Sequence, residues 1–236
     1  MDIQSLSRAA KKIFAANTLL LFFLSFTIFG VTLLPESWYE VTYILLISII
    51  LICIVFCLEK RYHFFSNITI VVIIVVLNIG FFSNIGFFNE ISDTLIGLFL
   101  VFTVLRLLAQ VARSREVTVN VIIQAISGFL LLGFVFSLAI ARIDVHHPGS
   151  FSFPVNETGT IFNNFYDQLY YGFITMGTVG YGDIVPKTPF AKTFSILVGI
   201  SGQLYLAIII AMLVGKFSSS IQPIKENDVQ WIGWSK

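Results

Sequence analysis

Long apolar runs recur along this chain, and their lengths limit its possible folds more than any other feature. A membrane-spanning helix needs about 20 predominantly apolar residues. Six stretches approach or exceed that length, namely Ile13–Leu34, Val41–Leu58, Ile68–Phe88, Ile91–Val111, Val117–Ile140 and Phe190–Phe217. Because a backbone in lipid must satisfy its own hydrogen bonds, each run is expected to be helical. The pattern predicts an all-α membrane protein with six transmembrane helices.

Composition supports this class and argues against others. Of the 236 residues, 57% are hydrophobic and 11% are charged, whereas soluble domains have about 25% charged residues. A soluble core of this length could not hide so much apolar surface, so the chain is expected in a lipid bilayer. A net charge of +1 gives no electrostatic basis for binding nucleic acid. No nucleophile–base or paired-carboxylate constellation is recognisable, so we expect neither an enzyme nor a cofactor.

Orientation follows from the basic residues, which favour the cytoplasmic side of a membrane. Alternating the six spans places ten of them on one side, at Arg8, Lys11, Lys12, Lys60, Arg61, Arg113, Arg115, Lys216, Lys225 and Lys236. The other side has Arg142, Lys187 and Lys192, and Arg106 falls within the fourth span. Both termini are therefore predicted to be cytoplasmic.

A further apolar segment, Asn164–Thr175, lies between the fifth and sixth spans and is too short to cross the membrane. It is interpreted as a re-entrant helix that enters from outside. Such a helix is permitted only where protein or a water-filled cavity covers its backbone ends. The residues that follow it would then lie near the outer mouth of a pathway through the protein.

Those residues, Thr178-Val179-Gly180-Tyr181-Gly182, can line that pathway with backbone oxygens. An ordinary strand alternates its carbonyls, so turning them toward one axis requires some left-handed backbone angles. Glycine adopts such angles at little steric cost, which explains Gly180 and Gly182. The carbonyls of Thr178 to Tyr181, with the Thr178 hydroxyl, would form stacked rings that replace the hydration shell of K⁺. One chain supplies a quarter of each ring, so four copies are expected around an axis.

The stretch Thr175–Asp183 closely resembles the signature of potassium channels, and the whole chain resembles the six-helix branch of the tetrameric cation channels. The likeness is specific over Tyr166–Phe217 and architectural over the first half. It implies a homotetrameric, potassium-selective channel of the prokaryotic type in the plasma membrane, with K⁺ as the permeant ion. Only residues 218–236 follow the last span, so no large cytoplasmic regulatory domain is expected.

The likeness divides the chain into four parts. These are a cytoplasmic N-terminus (1–12), a peripheral four-helix unit of the voltage-sensor type (13–116), a pore unit (117–217) and a short cytoplasmic tail (218–236). A voltage sensor needs basic residues at every third position of its fourth helix. Here Arg106 is followed by Arg113 and Arg115 at the cytoplasmic end, and the intervening Leu107, Leu108 and Val111 are apolar. Voltage sensitivity is therefore predicted to be weak or absent.

Four residues are expected to support the filter. Tyr170 and Tyr171 stand where the resembled channels often carry an aromatic pair that packs behind it, and the Tyr170 phenol can donate a hydrogen bond to Asp183. Thr175 opens the nine-residue signature. Ordinary helix packing is the alternative reason for the two tyrosines.

The last span contains the candidate gating residues. Gly202 lies where the resembled channels place a hinge glycine, although close packing of small residues explains a membrane glycine equally well. Leu206, Ile210 and Leu213 share one helical face and can form an apolar constriction, which would gate by dewetting. Leucines that face lipid are the alternative.

Two other functions compete with a potassium channel. One is a non-conducting or regulatory subunit that uses its pore loop as a scaffold. The other is an ion transporter with a filter-like loop, although related potassium transporters usually carry four pore units in one chain. Cys53 and Cys57 lie one helical turn apart without companion ligands, so free thiols are expected there rather than a metal site.

Overall fold

A computed structural model describes residues 3–30, 33–35, 38–58, 68–73, 75, 86–114, 116–153 and 161–220. Regular structure in these ranges is helical, apart from one antiparallel bridge between Phe151 and Pro186. The predicted all-α class is confirmed.

Six helices have described bounds. They are α1 (Ile3–Ser25), α2 (Tyr39–Cys57), α3 (Gly86–Arg113), α4 (Val119–His146), α5 (Ile161–Met176) and α6 (Pro189–Ser220). A π-helical turn, Phe26–Gly30, continues α1. Residues 68–73 are also helical.

Several of these helices suit a membrane. Four segments are long and apolar enough to span one, at Ile13–Gly30, Thr94–Arg113, Val119–His146 and Pro189–Ser218. A shorter apolar stretch, Leu45–Cys57, lies in α2. The four long segments coincide with the first, fourth, fifth and sixth predicted spans, and the shorter stretch coincides with the second. Most of the third, Ile68–Phe88, falls outside the described residues, so the count of six remains a prediction.

Three hydroxyl groups buried in the spans are satisfied within their own helices. Thr27, Thr103 and Ser137 each donate to the carbonyl oxygen four residues earlier, at 2.7, 2.8 and 2.8 Å. Donation along the same helix removes the need for water. These polar residues are therefore compatible with an apolar surrounding.

The helices of the predicted peripheral unit pack directly on α4, the first helix of the predicted pore unit. Leu20 of α1, Ile54 of α2, Leu107 of α3 and Leu131 of α4 are fully buried in one apolar cluster. Helix α4 contacts both α1 and α3. The peripheral and pore units predicted from sequence therefore share one core within the chain.

Two side-chain hydrogen bonds join the peripheral helices to α4 in this region. Asn17 Nδ2 donates to Asn120 Oδ1 at 2.7 Å, and Gln124 Nε2 donates to Gln110 Oε1 at 3.0 Å. Asn17 and Gln124 are buried. Because an unpaired polar group is costly in a low-dielectric interior, these bonds favour one register of α1 and α3 against α4.

Helix α5 is the short helix expected between the fifth and sixth spans, and it packs between α4 and α6. Its 16 residues extend for about 24 Å, less than the roughly 30 Å of a bilayer's hydrocarbon core. The helix ends at Met176, and α6 begins at Pro189. The filter residues lie in the connection between them.

Candidate functional site

The predicted filter, Thr178–Gly182, has an alternating backbone pattern. Residues Thr178, Gly180 and Gly182 have positive φ values of 59°, 53° and 83°. In an extended strand successive carbonyls point to opposite sides, and left-handed residues at every second position turn them toward one side. Gly180 and Gly182 therefore have the left-handed backbone angles that the sequence predicts for them.

Thr178 is the unexpected member of this series. A β-branched residue rarely adopts a positive φ, and such strained backbone costs about 1–3 kcal/mol. The sequence predicts left-handed angles at the two glycines alone, because no local signal marks a threonine for this conformation. Surrounding contacts must therefore hold Thr178 in place.

Backbone hydrogen bonds to α5 supply such contacts. The amide of Thr178 donates to the Thr175 carbonyl at 3.1 Å. The amides of Val179 and Gly180 both donate to the Ile174 carbonyl, at 2.8 and 3.3 Å. The inner half of the filter is thus tied to the end of α5 through its N–H groups, and these bonds leave the filter's own carbonyl oxygens unused.

The filter lies on the surface of the single chain. Val179 is 54% exposed and Tyr181 is 73% exposed. Gly180 and Gly182 have open space where a Cβ would stand. A chain by itself therefore presents one edge of a site and does not enclose an ion.

Tyr170 makes the hydrogen bond that its position predicts. Its hydroxyl donates to Asp183 Oδ2 at 2.7 Å. This bond lowers the pKa of Asp183 below its ordinary value, because it stabilises the carboxylate. It also raises the pKa of Tyr170 to about 12. The neighbouring Asp167 has a raised pKa, first because of burial and then because of the negative charge on Asp183.

Tyr171 of α5 is buried. Its hydroxyl shares a hydrogen bond with Ser195 Oγ of α6 at 2.6 Å. Its ring lies edge-on to Phe151, with centroids 5.3 Å apart, and also contacts Phe153. Tyr171 therefore links α5 both to α6 and to the loop that follows α4.

The candidate gating residues of α6 differ in their surroundings. Gly202 is buried, whereas Leu206 and Ile210 are exposed on the single chain. Leu213 is half-buried and packs against the core shared with the peripheral helices. The apolar face predicted for Leu206, Ile210 and Leu213 is thus only partly free of contacts within the chain.

Two contacts of α6 were not anticipated from sequence. The buried Tyr205 hydroxyl donates to the Ala125 carbonyl of α4 at 2.7 Å. Lys216 Nζ donates to the Val111 carbonyl, to the Ala112 carbonyl at 3.0 Å and to Ser114 Oγ at 3.0 Å. Lys216 thereby joins the end of the last helix to the end of α3. Sequence suggested only that this lysine is cytoplasmic.

Within the described ranges, no group of three or more His, Cys, Asp or Glu side chains could hold a metal ion. Cys53 and Cys57 are buried free thiols.

Comparison with known proteins points to the same region. A family model described as "Ion channel" matches residues 126–219, from within α4 to near the end of α6. The potassium voltage-gated channel protein Shal of Drosophila melanogaster is 39% identical over 88 residues, which are 37% of this chain and 15% of that protein. The A-type voltage-gated potassium channel KCND3 of Rattus norvegicus is 35% identical over 91 residues, covering 39% of this chain and 13% of that protein.

Two-pore potassium channel 4 of Arabidopsis thaliana is 35% identical over 72 residues, 30% of this chain and 24% of that protein. The chain therefore spans less than a quarter of the length of these relatives. The family match does not extend to α1, α2 or α3.

Proposed function

Because this chain, through residues 126–219, belongs to the potassium channels of the tetrameric cation channel superfamily, we propose that it forms a potassium-selective pore. Four copies surround an axis and each contributes one filter strand. The carbonyls of Thr178, Val179, Gly180 and Tyr181, with the Thr178 hydroxyl, replace the water around K⁺. Gly182 completes the turn at the outer end.

The alternating positive φ values at Thr178, Gly180 and Gly182 carry this proposal. They occur in the stretch where ion coordination requires carbonyls on one side. The hydrogen bonds from the Thr178, Val179 and Gly180 amides to α5 use N–H groups. Oxygen atoms thus remain available for ions, at the expense of strain at Thr178.

Helix α5 adds an electrostatic contribution. Its C-terminus, at Met176, immediately precedes the filter. The carbonyl end of a helix carries partial negative charge, which stabilises a nearby cation. Four such ends around the axis would favour K⁺ where it has lost part of its hydration shell.

The proposed architecture has six spans, a homotetrameric ring in the plasma membrane and both termini in the cytoplasm. The excess of basic residues on one side of the predicted spans supports the orientation. Closed cyclic symmetry is the usual way to complete a site to which each chain contributes one edge, and the exposure of Val179 and Tyr181 on the single chain is consistent with it.

Gating is proposed to depend on α6 and to respond weakly or not at all to voltage. Leu206, Ile210 and Leu213 would line the narrow inner part of the pathway, and Gly202 would set how α6 approaches α5. Arg106 is the basic residue well inside the fourth predicted span. Moving one charge per chain through the membrane potential contributes little energy to opening the channel.

Reconstitution into liposomes tests this function. Purified protein is expected to give K⁺ flux that greatly exceeds Na⁺ flux, with a reversal potential that follows the K⁺ gradient. Equal permeability to the two ions would contradict selectivity. No flux from the chain alone would favour a regulatory subunit, and slow saturable uptake would favour a transporter.

A further inference from the structure

A short segment between α4 and α5 is hydrogen-bonded to the residues that follow the filter. Phe151 and Pro186 form an antiparallel bridge. The Ser152 amide donates to the Val185 carbonyl at 3.0 Å, and the Lys187 amide donates to the Ser150 carbonyl at 2.8 Å. We call residues 150–153 the outer strap, because they lie along the residues that leave the filter.

The Ser152 side chain reinforces this attachment. Its Oγ accepts a hydrogen bond from the Val185 amide at 2.9 Å and is within 3.3 Å of the Val185 carbonyl oxygen, to which it can donate. Val185 lies two residues after Asp183. One hydroxyl thus contacts both backbone groups of a residue close to the filter's outer end.

The other residues of the outer strap are anchored in the pore unit. Phe151 is buried against Tyr171 of α5. Ser150 is buried, and its Oγ accepts from Thr188 Oγ1 at 3.4 Å. Thr188 Oγ1 also accepts from the Ala191 amide in the first turn of α6. The outer strap therefore connects the filter exit to α5 and α6.

The outer half of the filter depends on this connection more than the inner half. In the described part of the chain, the backbone bonds from the filter to α5 end at Gly180. Beyond that residue, the chain is held by the Tyr170–Asp183 hydrogen bond, by the Ser152 hydroxyl on Val185 and by the backbone bonds of the outer strap. Neighbouring carbonyl oxygens repel one another, so the outer rings need this restraint most when K⁺ occupancy is low.

We propose that Ser152 is a positioning residue for K⁺ coordination, which it supports by fixing Val185 and hence the outer end of the filter. This inference rests on the proposed function, since it assumes that the filter binds K⁺. The hydroxyl does not touch the ion. Its effect is to keep the outer carbonyl rings at the diameter that suits a dehydrated K⁺.

The experiment compares Ser152→Ala with Ser152→Thr, which keeps a hydroxyl, and with Ser152→Val, which matches threonine in shape without the hydroxyl. Thr193→Ala is the control, because Thr193 Oγ1 bonds within the exposed first turns of α6. Two readouts are measured: K⁺ affinity of the purified protein by calorimetric titration, and K⁺ flux in liposomes at high and low external K⁺.

We expect Ser152→Ala and Ser152→Val to weaken K⁺ affinity roughly two- to tenfold, the range for loss of one neutral hydrogen bond. Their flux should fall further than that of the unmodified protein when external K⁺ is lowered. Ser152→Thr and Thr193→Ala should leave both readouts unchanged. If Ser152→Ala impairs assembly, the comparison of Ser152→Thr with Ser152→Val still isolates the effect of the hydroxyl.

The inference is overturned if the variants without the hydroxyl keep the unmodified K⁺ affinity and flux. It is also overturned if the Thr193→Ala control loses as much affinity as they do. If the unmodified protein binds K⁺ without conducting it, the proposed function fails. The difference in K⁺ affinity between Ser152→Thr and Ser152→Val then still decides the role of Ser152. If the unmodified protein does not bind K⁺, both proposals fail together.

Discussion

Gly202 of α6 lies against Met176, the last residue of α5. A Cβ built on Gly202 would stand 3.0 Å from the Met176 carbonyl carbon and 2.5 Å from its Cγ. Real side chains do not come this close, so the two helices can meet here only because residue 202 is glycine. Close packing therefore explains this glycine, and its predicted role as a hinge remains untested.

We expect Gly202→Ala to destabilise the pore unit by about 1–3 kcal/mol, the usual cost of forcing extra atoms into a packed site. Gly199→Ala is the matched control, since its Cβ would be 3.7 Å from the Thr175 carbonyl oxygen, an ordinary contact. Thermal unfolding in detergent measures the difference. An unchanged melting temperature with an altered open probability would instead favour the hinge.

Gly182→Ala should reduce K⁺ selectivity. Gly182 has a φ of 83°, and a left-handed angle costs a residue with a Cβ roughly 1–2 kcal/mol. Gly149→Ala is the control, because Gly149 has a φ of 81° and open space around it but lies outside the filter. Both variants should lose similar stability, and only Gly182→Ala should change the reversal potential. A selectivity loss of the same size in Gly149→Ala would contradict this role for Gly182.

Acid sensitivity should change in Tyr170→Phe. The folded protein holds the pKa of Asp183 below its ordinary value. The stabilisation from this contact is therefore present at neutral pH and is lost only as the pH falls through the lowered pKa. Without the phenol this stabilisation is absent, and the pKa of Asp183 returns toward its ordinary value. The carboxylate beside the filter should then become protonated, and K⁺ flux should fall, at a higher pH than in the unmodified protein.

Flux measured against external pH checks this expectation. Tyr166→Phe, which removes a hydroxyl from the same helix, serves as the control. At high pH the contact is lost only when Tyr170 gives up its proton, which is far above neutral pH because the pKa of Tyr170 is about 12. An identical acid profile for Tyr170→Phe and the unmodified protein would show that the Asp183 contact has no part in acid tolerance.

Removing the amine of Lys216 should weaken the attachment of α6 to α3. Lys216→Met leaves the Val111 and Ala112 carbonyls and Ser114 Oγ without this donor. We expect a loss of roughly 1 kcal/mol, reduced from the value for a buried charged donor because the site is partly open to solvent. Thermal unfolding should show it, whereas Lys192→Met, at an exposed position near the other end of α6, should be neutral.

The conductance–voltage relation is expected to be shallow. One full charge crossing the membrane contributes about 2.3 kcal/mol per 100 mV, and Arg106 is only partly buried in α3. Arg106→Gln should therefore change the slope little. A steep relation with several gating charges per chain would show that this interpretation of the fourth span is wrong.

Much of the fold could be read from sequence because hydropathy and segment length are local properties. The runs around α1, α2, α3, α4 and α6 are apolar over nearly the distance that a bilayer requires, and α5 is too short to cross. A backbone in lipid has few alternatives to a helix. Gly180 and Gly182 were likewise predictable, because glycine marks a left-handed angle through its own chemistry.

The tertiary structure decided the features that join distant parts of the chain. Ser152 and Val185 are 33 positions apart, and Lys216 is 104 positions from Ala112. No propensity of serine or lysine specifies such partners, since the meeting depends on how whole helices pack. The positive φ of Thr178 is a similar case, because threonine disfavours it and the hydrogen bonds to α5 hold it. Sequence by itself therefore determined which segments are long and apolar enough for a membrane and where the backbone can turn. Packing between α5, α6 and the outer strap decided how the predicted filter is held.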